Sequence, residues 1–257
     1  MAYKIALAGK GGCGKTSIAA LAVRYLLHRN MTPVLAVDAD PNANFGESLG
    51  LQPKVTIGSI LNDFQHEKID IPAGMTKESY LEYKLNTTVT ESKGLDLVTM
   101  GRGQGPDCYC YPNTVLKKFI EGLSDSYRFV VMDNEAGLEH LSRKTTEDVD
   151  LMLLVSNHSV KGIRSIARVQ ELIEELKLPV KKQVVIINMV PVAIDELVLN
   201  EMKNLKIKAD IVVPEDDALF RFDLGQKPLT GLPDNSPAVQ AVDALLDNYL
   251  NTAAKPL

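Results

Sequence analysis

Short apolar segments alternate with longer amphipathic segments along the whole chain. The segment Leu151–Val155 is apolar at every position, which is typical of a strand buried on both faces of a parallel sheet. This pattern predicts strands at Ile5–Ala8, Val34–Asp38, Leu95–Met100, Phe129–Asp133, Leu151–Val155, Val184–Asn188 and Ile211–Val213.

Between the strands, apolar residues recur every three or four positions, as at Ile163, Ile166 and Val169, which indicates helices with one buried face. The predicted helices are Lys15–His28, Val115–Leu123, Lys161–Leu176, Ile194–Leu205 and Pro237–Leu250. Strands alternating with helices favour an α/β fold, a mainly parallel sheet with helices on both faces. No linker rich in Pro, Gly or Ser divides the chain, so we expect residues 1–257 to form one domain. The more polar stretch 65–91 is predicted to be an insertion with a helix or a hairpin.

The composition narrows the class of protein. With 257 residues, 45% of them hydrophobic, the chain can bury a full core. The net charge of −5 disfavours a nucleic-acid partner, because binding to phosphates needs a basic surface. No apolar run approaches the roughly 20 residues of a membrane helix, and no secretory signal precedes the first predicted strand. We therefore expect no membrane partner, a cytoplasmic location, and cysteines that are free thiols or metal ligands.

The first predicted strand leads into a glycine-rich loop, Gly9-Lys10-Gly11-Gly12-Cys13-Gly14-Lys15-Thr16, which is followed by Ser17 and a predicted helix. A glycine, four residues and Gly-Lys-Thr form the pattern of a phosphate-binding loop. Its glycines let backbone N–H groups converge on a phosphate, and the helix N-terminus adds positive potential. We expect Lys15 to contact the β- and γ-phosphates and Thr16 to bind Mg²⁺. A glycine-rich turn that binds nothing is disfavoured, because strand, motif and helix follow one another in the right order.

The second lysine of this loop, Lys10, makes it resemble the deviant Walker A loop of a class that includes MinD, ParA, ArsA and the nitrogenase iron protein. The resemblance implies a homodimer in which Lys10 reaches the partner's nucleotide and neutralises phosphate charge. The alternative is an exposed loop lysine without a role.

Three aspartates lie at or just after the ends of predicted strands, in positions similar to the switches of that class. Val37–Pro41 resembles the Asp-Pro of switch I, which implies that Asp40 orients the attacking water and that Asp38 holds Mg²⁺ through water. Alternatively, Asp38 and Asp40 cap a turn or the next helix. Phe129–Asp133 resembles a Walker B strand, in which Asp133 holds a Mg²⁺ water.

Further positions carry over from the same resemblance. Gly137, in the position of switch II, is expected to donate its N–H to the γ-phosphate. Asn188 and Pro214, at the ends of two predicted strands, are expected to contact adenine. The sequence has no Asn-Lys-x-Asp guanine motif, so ATP and ADP are the expected ligands. His140 is left open between a sensor of the dimer or metal and a surface residue.

Cys108 and Cys110 lie in a polar segment after the third predicted strand. Two thiols one residue apart leave the coordination of a soft metal incomplete, and a two-fold dimer would complete a four-sulfur site. The alternative is a pair of partly buried small residues.

Together, Lys10–Thr16, Val37–Asp40, Cys108–Cys110 and the segment 134–140 resemble the CooC family. Those ATPases insert nickel into carbon monoxide dehydrogenase, and the related AcsF serves acetyl-CoA synthase. The resemblance implies an ATP-switched homodimer, a Ni²⁺ or Zn²⁺ site between subunits, and one of these enzymes as client. Cys13 departs from the valine usual in the loop.

Other functions of the wider class fit the sequence less well. A nitrogenase-reductase-like electron donor would need a cysteine in switch II, and none is present there. A MinD-type positioning protein would favour a basic C-terminal helix, whereas 238–250 contains Asp243 and Asp247 and no lysine or arginine. A metal-binding adaptor without turnover stays an alternative.

Overall fold

A computed structural model of the protein describes residues 2–66, 71–101, 118–134 and 148–250. Within these ranges, seven strands form one parallel sheet in the order β3-β2-β4-β1-β5-β6-β7. The strands are β1 Tyr3–Gly9, β2 Val34–Asp38, β3 Leu95–Thr99, β4 Phe129–Asp133, β5 Val149–Asn157, β6 Val180–Val190 and β7 Ile211–Pro214. Every predicted strand is confirmed, and β5 and β6 are longer than their apolar centres indicated.

The helices include all five that the sequence predicts. They are α1 Lys15–His28, α2 Phe45–Leu49, α3 Ile57–His66, α4 Lys77–Asn86, α5 at 118–124, α6 Val160–Glu175, α7 Glu196–Asn204, α8 Asp217–Leu224 and α9 Pro237–Leu250, with a 3-10 turn at Leu229–Gly231. Helix α4 confirms that the 65–91 stretch contains a helix. The sequence analysis missed α2, α3 and α8. No helix in the described ranges combines the length and the apolar character needed to cross a bilayer.

The sheet has an apolar core on each face, because successive strand residues point to opposite sides. In β1, Ile5 and Leu7 belong to the core under α1 and α9, whereas Ala6 and Ala8 belong to the core under α3 and α6. This two-sided burial explains why the central strands are apolar at almost every position. Because the strands are parallel, the loops that follow β1, β2, β4, β6 and β7 lie at the same edge of the sheet. Ligands of open α/β folds bind at this edge.

Candidate functional site

The loop between β1 and α1 adopts a backbone that requires glycine at two positions. Gly9 has φ +155° and a Cβ there would lie 2.1 Å from the Val155 carbonyl oxygen. Gly14 has φ +87° and a Cβ there would lie 2.3 Å from Asn188 Nδ2. The loop is thus fitted tightly against the ends of β5 and β6, and its glycines serve both the turn and the close approach.

The two lysines of the loop have opposite environments. Lys15 is only 7% exposed, and its Nζ donates a hydrogen bond of 3.4 Å to the carbonyl oxygen of Lys10. This long bond leaves most of the hydrogen-bonding capacity of the ammonium group for an anion. The Lys10 side chain is exposed. The loop therefore carries one buried and one exposed lysine.

The first turn of α1 is joined to the end of β4. Thr16 Oγ1 donates a 2.6 Å hydrogen bond to Asp133 Oδ2, whereas the buried Asp133 Oδ1 has no hydrogen-bond partner among the described residues. Burial raises the pKa of Asp133 to about 6, although the Thr16 hydrogen bond and the charge of Lys15 lower it. A hydroxyl and a carboxylate with one unsatisfied oxygen are oxygen donors that suit Mg²⁺ and its water ligands.

Asp38 organises the turn that follows β2. Its carboxylate is fully buried and accepts hydrogen bonds from the backbone N–H groups of Asp40, at 3.2 Å, and Phe45, at 3.0 Å. Burial and the neighbouring Asp133 carboxylate raise the pKa of Asp38 to about 7. Asp38 thus makes the capping contacts considered in the alternative interpretation, and its contact with a magnesium water stays a prediction.

Asp40 lies outside this buried pair. Its Oδ1 accepts hydrogen bonds from the backbone N–H of Asn42, at 2.8 Å, and from the Asn42 side-chain amide, at 2.9 Å. The side chain is half-buried at the mouth of the loop. It is therefore held in one conformation while keeping its second oxygen accessible.

A cavity of about 330 Å³ continues from the first turn of α1 toward the ends of β6 and β7. Asn188 and Pro214, the two predicted adenine contacts, both line it, together with Ser17. Asn188 is buried, and its Nδ2 donates a 3.0 Å hydrogen bond to the carbonyl oxygen of Cys13. In this structure Asn188 therefore supports the phosphate loop, and its contact with a base stays a prediction.

The sequence analysis missed several other residues of this cavity, among them Met189, Asp216 and Phe220. Phe220 is 63% exposed and Met189 41%, so neither followed the buried apolar pattern on which the sequence analysis relied. The signal that could have found Asp216 is its position before a short amphipathic segment, which is the N-cap position of α8.

Asp216 fixes the wall of the cavity through four hydrogen bonds. It accepts from the backbone N–H groups of Ala218, Leu219 and Ala238 and from the Ser236 hydroxyl. Burial raises the pKa of Asp216, but these hydrogen bonds outweigh it, and the net effect is a lowered pKa. The carboxylate therefore joins the start of α8 to the start of α9.

Several predicted residues lie outside the described residues, namely Gly137, Cys108, Cys110 and His140. Within the ranges that are described, no group of three or more His, Cys, Asp and Glu side chains is arranged to hold a metal ion. The described part of the site thus contains the phosphate loop, the two buried carboxylates and the cavity.

A family model described as the CobQ/CobB/MinD/ParA nucleotide binding domain matches residues 4–229. The chain belongs to this family. It is 38% identical to an uncharacterized ATP-binding protein of Methanocaldococcus jannaschii over 249 residues, which are 96% of this chain and 98% of that protein. It is 28% identical to the carbon monoxide dehydrogenase accessory protein CooC of Rhodospirillum rubrum over 189 residues, 67% of this chain and 70% of CooC.

Solved structures of the CobQ/CobB/MinD/ParA family share the fold. The cell division ATPase MinD of Pyrococcus furiosus aligns with a TM-score of 0.70 and 22% identity, over 99% of this chain and all of MinD. A ParA family ATPase of Chlorobium tepidum aligns with a TM-score of 0.71 and 20% identity, over 95% and 97% of the two chains. The expected fold class is confirmed, and so is the wider class that includes MinD and ParA. The relation to CooC rests on a relative of lower identity, 28%.

Proposed function

We propose that the protein is a Mg²⁺-dependent ATPase that acts as a homodimer, holds Ni²⁺ or Zn²⁺ between its subunits and inserts nickel into a client enzyme. The observation that carries the nucleotide part is the convergence of Lys15, Thr16 and Asp133 at the loop, with one buried oxygen of Asp133 unsatisfied. A cavity lined by Ser17, the residue after Thr16, has a volume of about 330 Å³, which is in the range of small-molecule sites.

Each residue of the site has a role in this proposal. Lys15 would exchange the Lys10 carbonyl for the β- and γ-phosphates, and the Thr16 hydroxyl would hold Mg²⁺. Asp133 and Asp38 would hold its water ligands, and Mg²⁺ would supply charge neutralisation on the phosphates. Asp40 orients the attacking water with its free oxygen.

The remaining nucleotide contacts come from the backbone and the cavity. The N–H groups of Gly9–Ser17 surround the phosphates, and Gly137 donates to the γ-phosphate. Asn188 and Pro214 face the adenine. ATP is the proposed nucleotide because a relative with 38% identity is named as an ATP-binding protein.

The exposed position of Lys10 supports a second subunit. Lys15 is the buried lysine of the loop, whereas the exposed Lys10 side chain is available to a nucleotide held by a facing copy. The added positive charge would stabilise the transition state of phosphoryl transfer, as a residue supplied in trans does in other nucleotide hydrolases.

The metal part of the proposal rests on Cys108, Cys110 and the CooC relative. Two facing copies would provide four thiolates, which bind Zn²⁺ or Ni²⁺ as cargo for transfer. The proposed clients are carbon monoxide dehydrogenase and acetyl-CoA synthase. Binding would release protons from the thiols.

The proposal is tested by titrating the purified protein with Ni²⁺ or Zn²⁺ without nucleotide, with ADP and with ATP, while oligomer size is followed. We expect one metal ion per dimer, lost in Cys108→Ala/Cys110→Ala but kept in the control Cys13→Ala. Nucleotide-dependent dimers without metal would instead favour a MinD- or ParA-like positioning ATPase. Metal binding without ATP turnover would favour an adaptor.

A further inference from the structure

Thr99, the last residue of β3, lies in a row with the two buried carboxylates. It is in register with Asp38 on β2, and Asp38 is in register with Asp133 on β4. Partners in register point to the same face of a sheet. That face is the one covered by α1, because Leu97, two residues before Thr99, belongs to the core under α1. Thr99, Asp38 and Asp133 are each at most 1% exposed.

Both ends of this row carry an unsatisfied polar atom. Among the described residues, neither Thr99 Oγ1 nor Asp133 Oδ1 has a hydrogen-bond partner, and both are buried. Asp38 lies between them, and each of its oxygens accepts one backbone N–H, which leaves acceptor capacity on both. A buried hydroxyl without a partner is destabilising, and valine would fill the same volume without that penalty. A hydroxyl at this position is therefore explained if it forms a hydrogen bond in another state of the protein.

Asp38 connects the row to the turn that carries Asp40. Its carboxylate accepts the Asp40 and Phe45 N–H groups, and its backbone carbonyl accepts the N–H of Met100, the residue after Thr99, at 2.8 Å. A change in the orientation of the Asp38 carboxylate would therefore move the backbone of Asp40. The end of β3 and the turn after β2 are linked through this one residue.

We infer that Thr99 is a positioning residue, whose hydroxyl donates to the Asp38 carboxylate when the magnesium nucleotide is bound and so keeps Asp40 in place. The inference rests on the proposed nucleotide function. If the Thr16 hydroxyl were to hold Mg²⁺, the adjacent buried carboxylates of Asp133 and Asp38 would lose a side-chain donor. A hydrogen bond from Thr99 to Asp38 would supply one to the same pair. Adjacent strands are about 4.8 Å apart, so a change of the Thr99 rotamer brings its hydroxyl to Asp38.

The test compares Thr99→Val with Thr99→Ser and with the control Thr88→Val. Thr88 is equally buried, but its hydroxyl already has a partner, because it donates to the Leu85 carbonyl at 2.7 Å. ATP hydrolysis is measured against Mg²⁺ concentration, and ADP affinity is measured by calorimetry in EDTA and in Mg²⁺. For Thr99→Val we expect kcat to fall about tenfold, or the Mg²⁺ concentration at half-saturation to rise about tenfold. A change of this size corresponds to one hydrogen bond to a charged group.

Thr99→Val should keep the wild-type ADP affinity in EDTA, Thr99→Ser should restore the Mg²⁺ dependence, and Thr88→Val should leave that dependence unchanged. Without nucleotide, Thr99→Val should melt no lower than wild type, whereas Thr88→Val should melt lower because it loses an existing bond. A wild-type Mg²⁺ dependence in Thr99→Val, or a nucleotide-free melting loss like that of Thr88→Val, would overturn the inference.

Failure of the proposed function gives a different result from failure of this inference. If wild type binds Mg²⁺·ADP without turnover, hydrolysis is refuted and the Mg²⁺ dependence of ADP affinity still decides the role of Thr99. If wild type binds no nucleotide, both are refuted. If wild type hydrolyses ATP and Thr99→Val behaves as Thr88→Val, only the inference about Thr99 is refuted.

Discussion

The Thr16 hydroxyl donates a 2.6 Å hydrogen bond to Asp133 Oδ2, and this bond ties the first turn of α1 to the end of β4. It joins a residue of the phosphate loop to a carboxylate 117 positions away in sequence. The remaining Asp133 oxygen is buried and unsatisfied among the described residues, so the pair is arranged for a cationic ligand rather than for maximal stability.

The first prediction concerns the pH dependence of stability. Burial raises the pKa of Asp133 from 3.8 to about 6, so the folded state holds its proton over a range in which the unfolded state has lost it. Stability therefore falls as pH rises from about 4 to about 6. Asp133→Asn removes this pH-dependent contribution. The melting temperature of the variant in EDTA, compared with that of wild type, should therefore be relatively higher at pH 7 than at pH 4. An equal difference at both pH values would show that Asp133 is not destabilised by its charge.

The contribution of Asp216 to the pH dependence of stability should have the opposite sign. Its pKa is lowered by four hydrogen bonds, so its contribution is present above its ordinary pKa of 3.8 and is lost as pH falls through the lower folded value. Asp216→Ala removes the cap of α8 and its bond to α9, and should cost about 1–2 kcal/mol in the free energy of unfolding at pH 7. Urea unfolding at pH 7 and pH 3 checks both claims, and a cost that grows toward pH 3 would contradict them.

The glycine at the end of the loop gives a third prediction. Gly14→Ala would place a Cβ 2.3 Å from Asn188 Nδ2 at a positive φ, whereas at Gly12, also at positive φ, no heavy atom counted among the described residues lies within 4 Å. Both changes should carry the left-handed backbone cost of about 1–2 kcal/mol. Only Gly14→Ala should also displace Asn188 and weaken ADP binding, by calorimetry, beyond the effect of Gly12→Ala. Equal effects of the two changes would mean that Asn188 does not support the loop.

The sequence predicted those parts of the molecule in which a local pattern coincides with burial. The centre of β5, Leu151–Val155, is apolar at every position because it is covered on both faces, and α6 has a periodic apolar stripe that includes Ile163, Ile166 and Val169. Helix α8 was missed because it is only eight residues long and its apolar side chains, such as Leu219 and Phe222, are only partly buried against the core. The motif identified Lys15 and Thr16, but the bond from Asn188 to Cys13 joins residues 175 apart. No local pattern encodes a contact of that kind.

The buried arginine of α1 gives a prediction about stability alone. Arg24 is 1% exposed, donates to the Leu232 carbonyl at 3.0 Å and pairs with Asp234, and so anchors the segment before α9. Arg24→Met should cost about 1–3 kcal/mol in urea unfolding, because it leaves the buried Leu232 carbonyl without this donor, whereas Asp234 is exposed and stays solvated. The control is Arg29→Met, which removes a half-exposed ion pair with Asp247 and should cost at most about 1 kcal/mol. Similar costs for the two would contradict the anchoring role.

The last prediction separates nucleotide binding from hydrolysis at the mouth of the loop. The Asp40 carboxylate accepts hydrogen bonds from the Asn42 backbone and side-chain amides, and its proposed role is to orient water rather than to bind the nucleotide. Asp40→Ala should therefore slow ATP hydrolysis by about a hundredfold, the scale of one positioned proton acceptor. Its ATP affinity should stay within about threefold of wild type, because removing a carboxylate near phosphates takes away repulsion rather than a contact. The matched control Asn42→Ala removes the side-chain amide bond to Asp40 but keeps the backbone one, and should have a smaller effect on kcat. Single-turnover hydrolysis and equilibrium binding of a non-hydrolysable ATP analogue give the two quantities separately, and unchanged turnover in Asp40→Ala would remove Asp40 from the catalytic step.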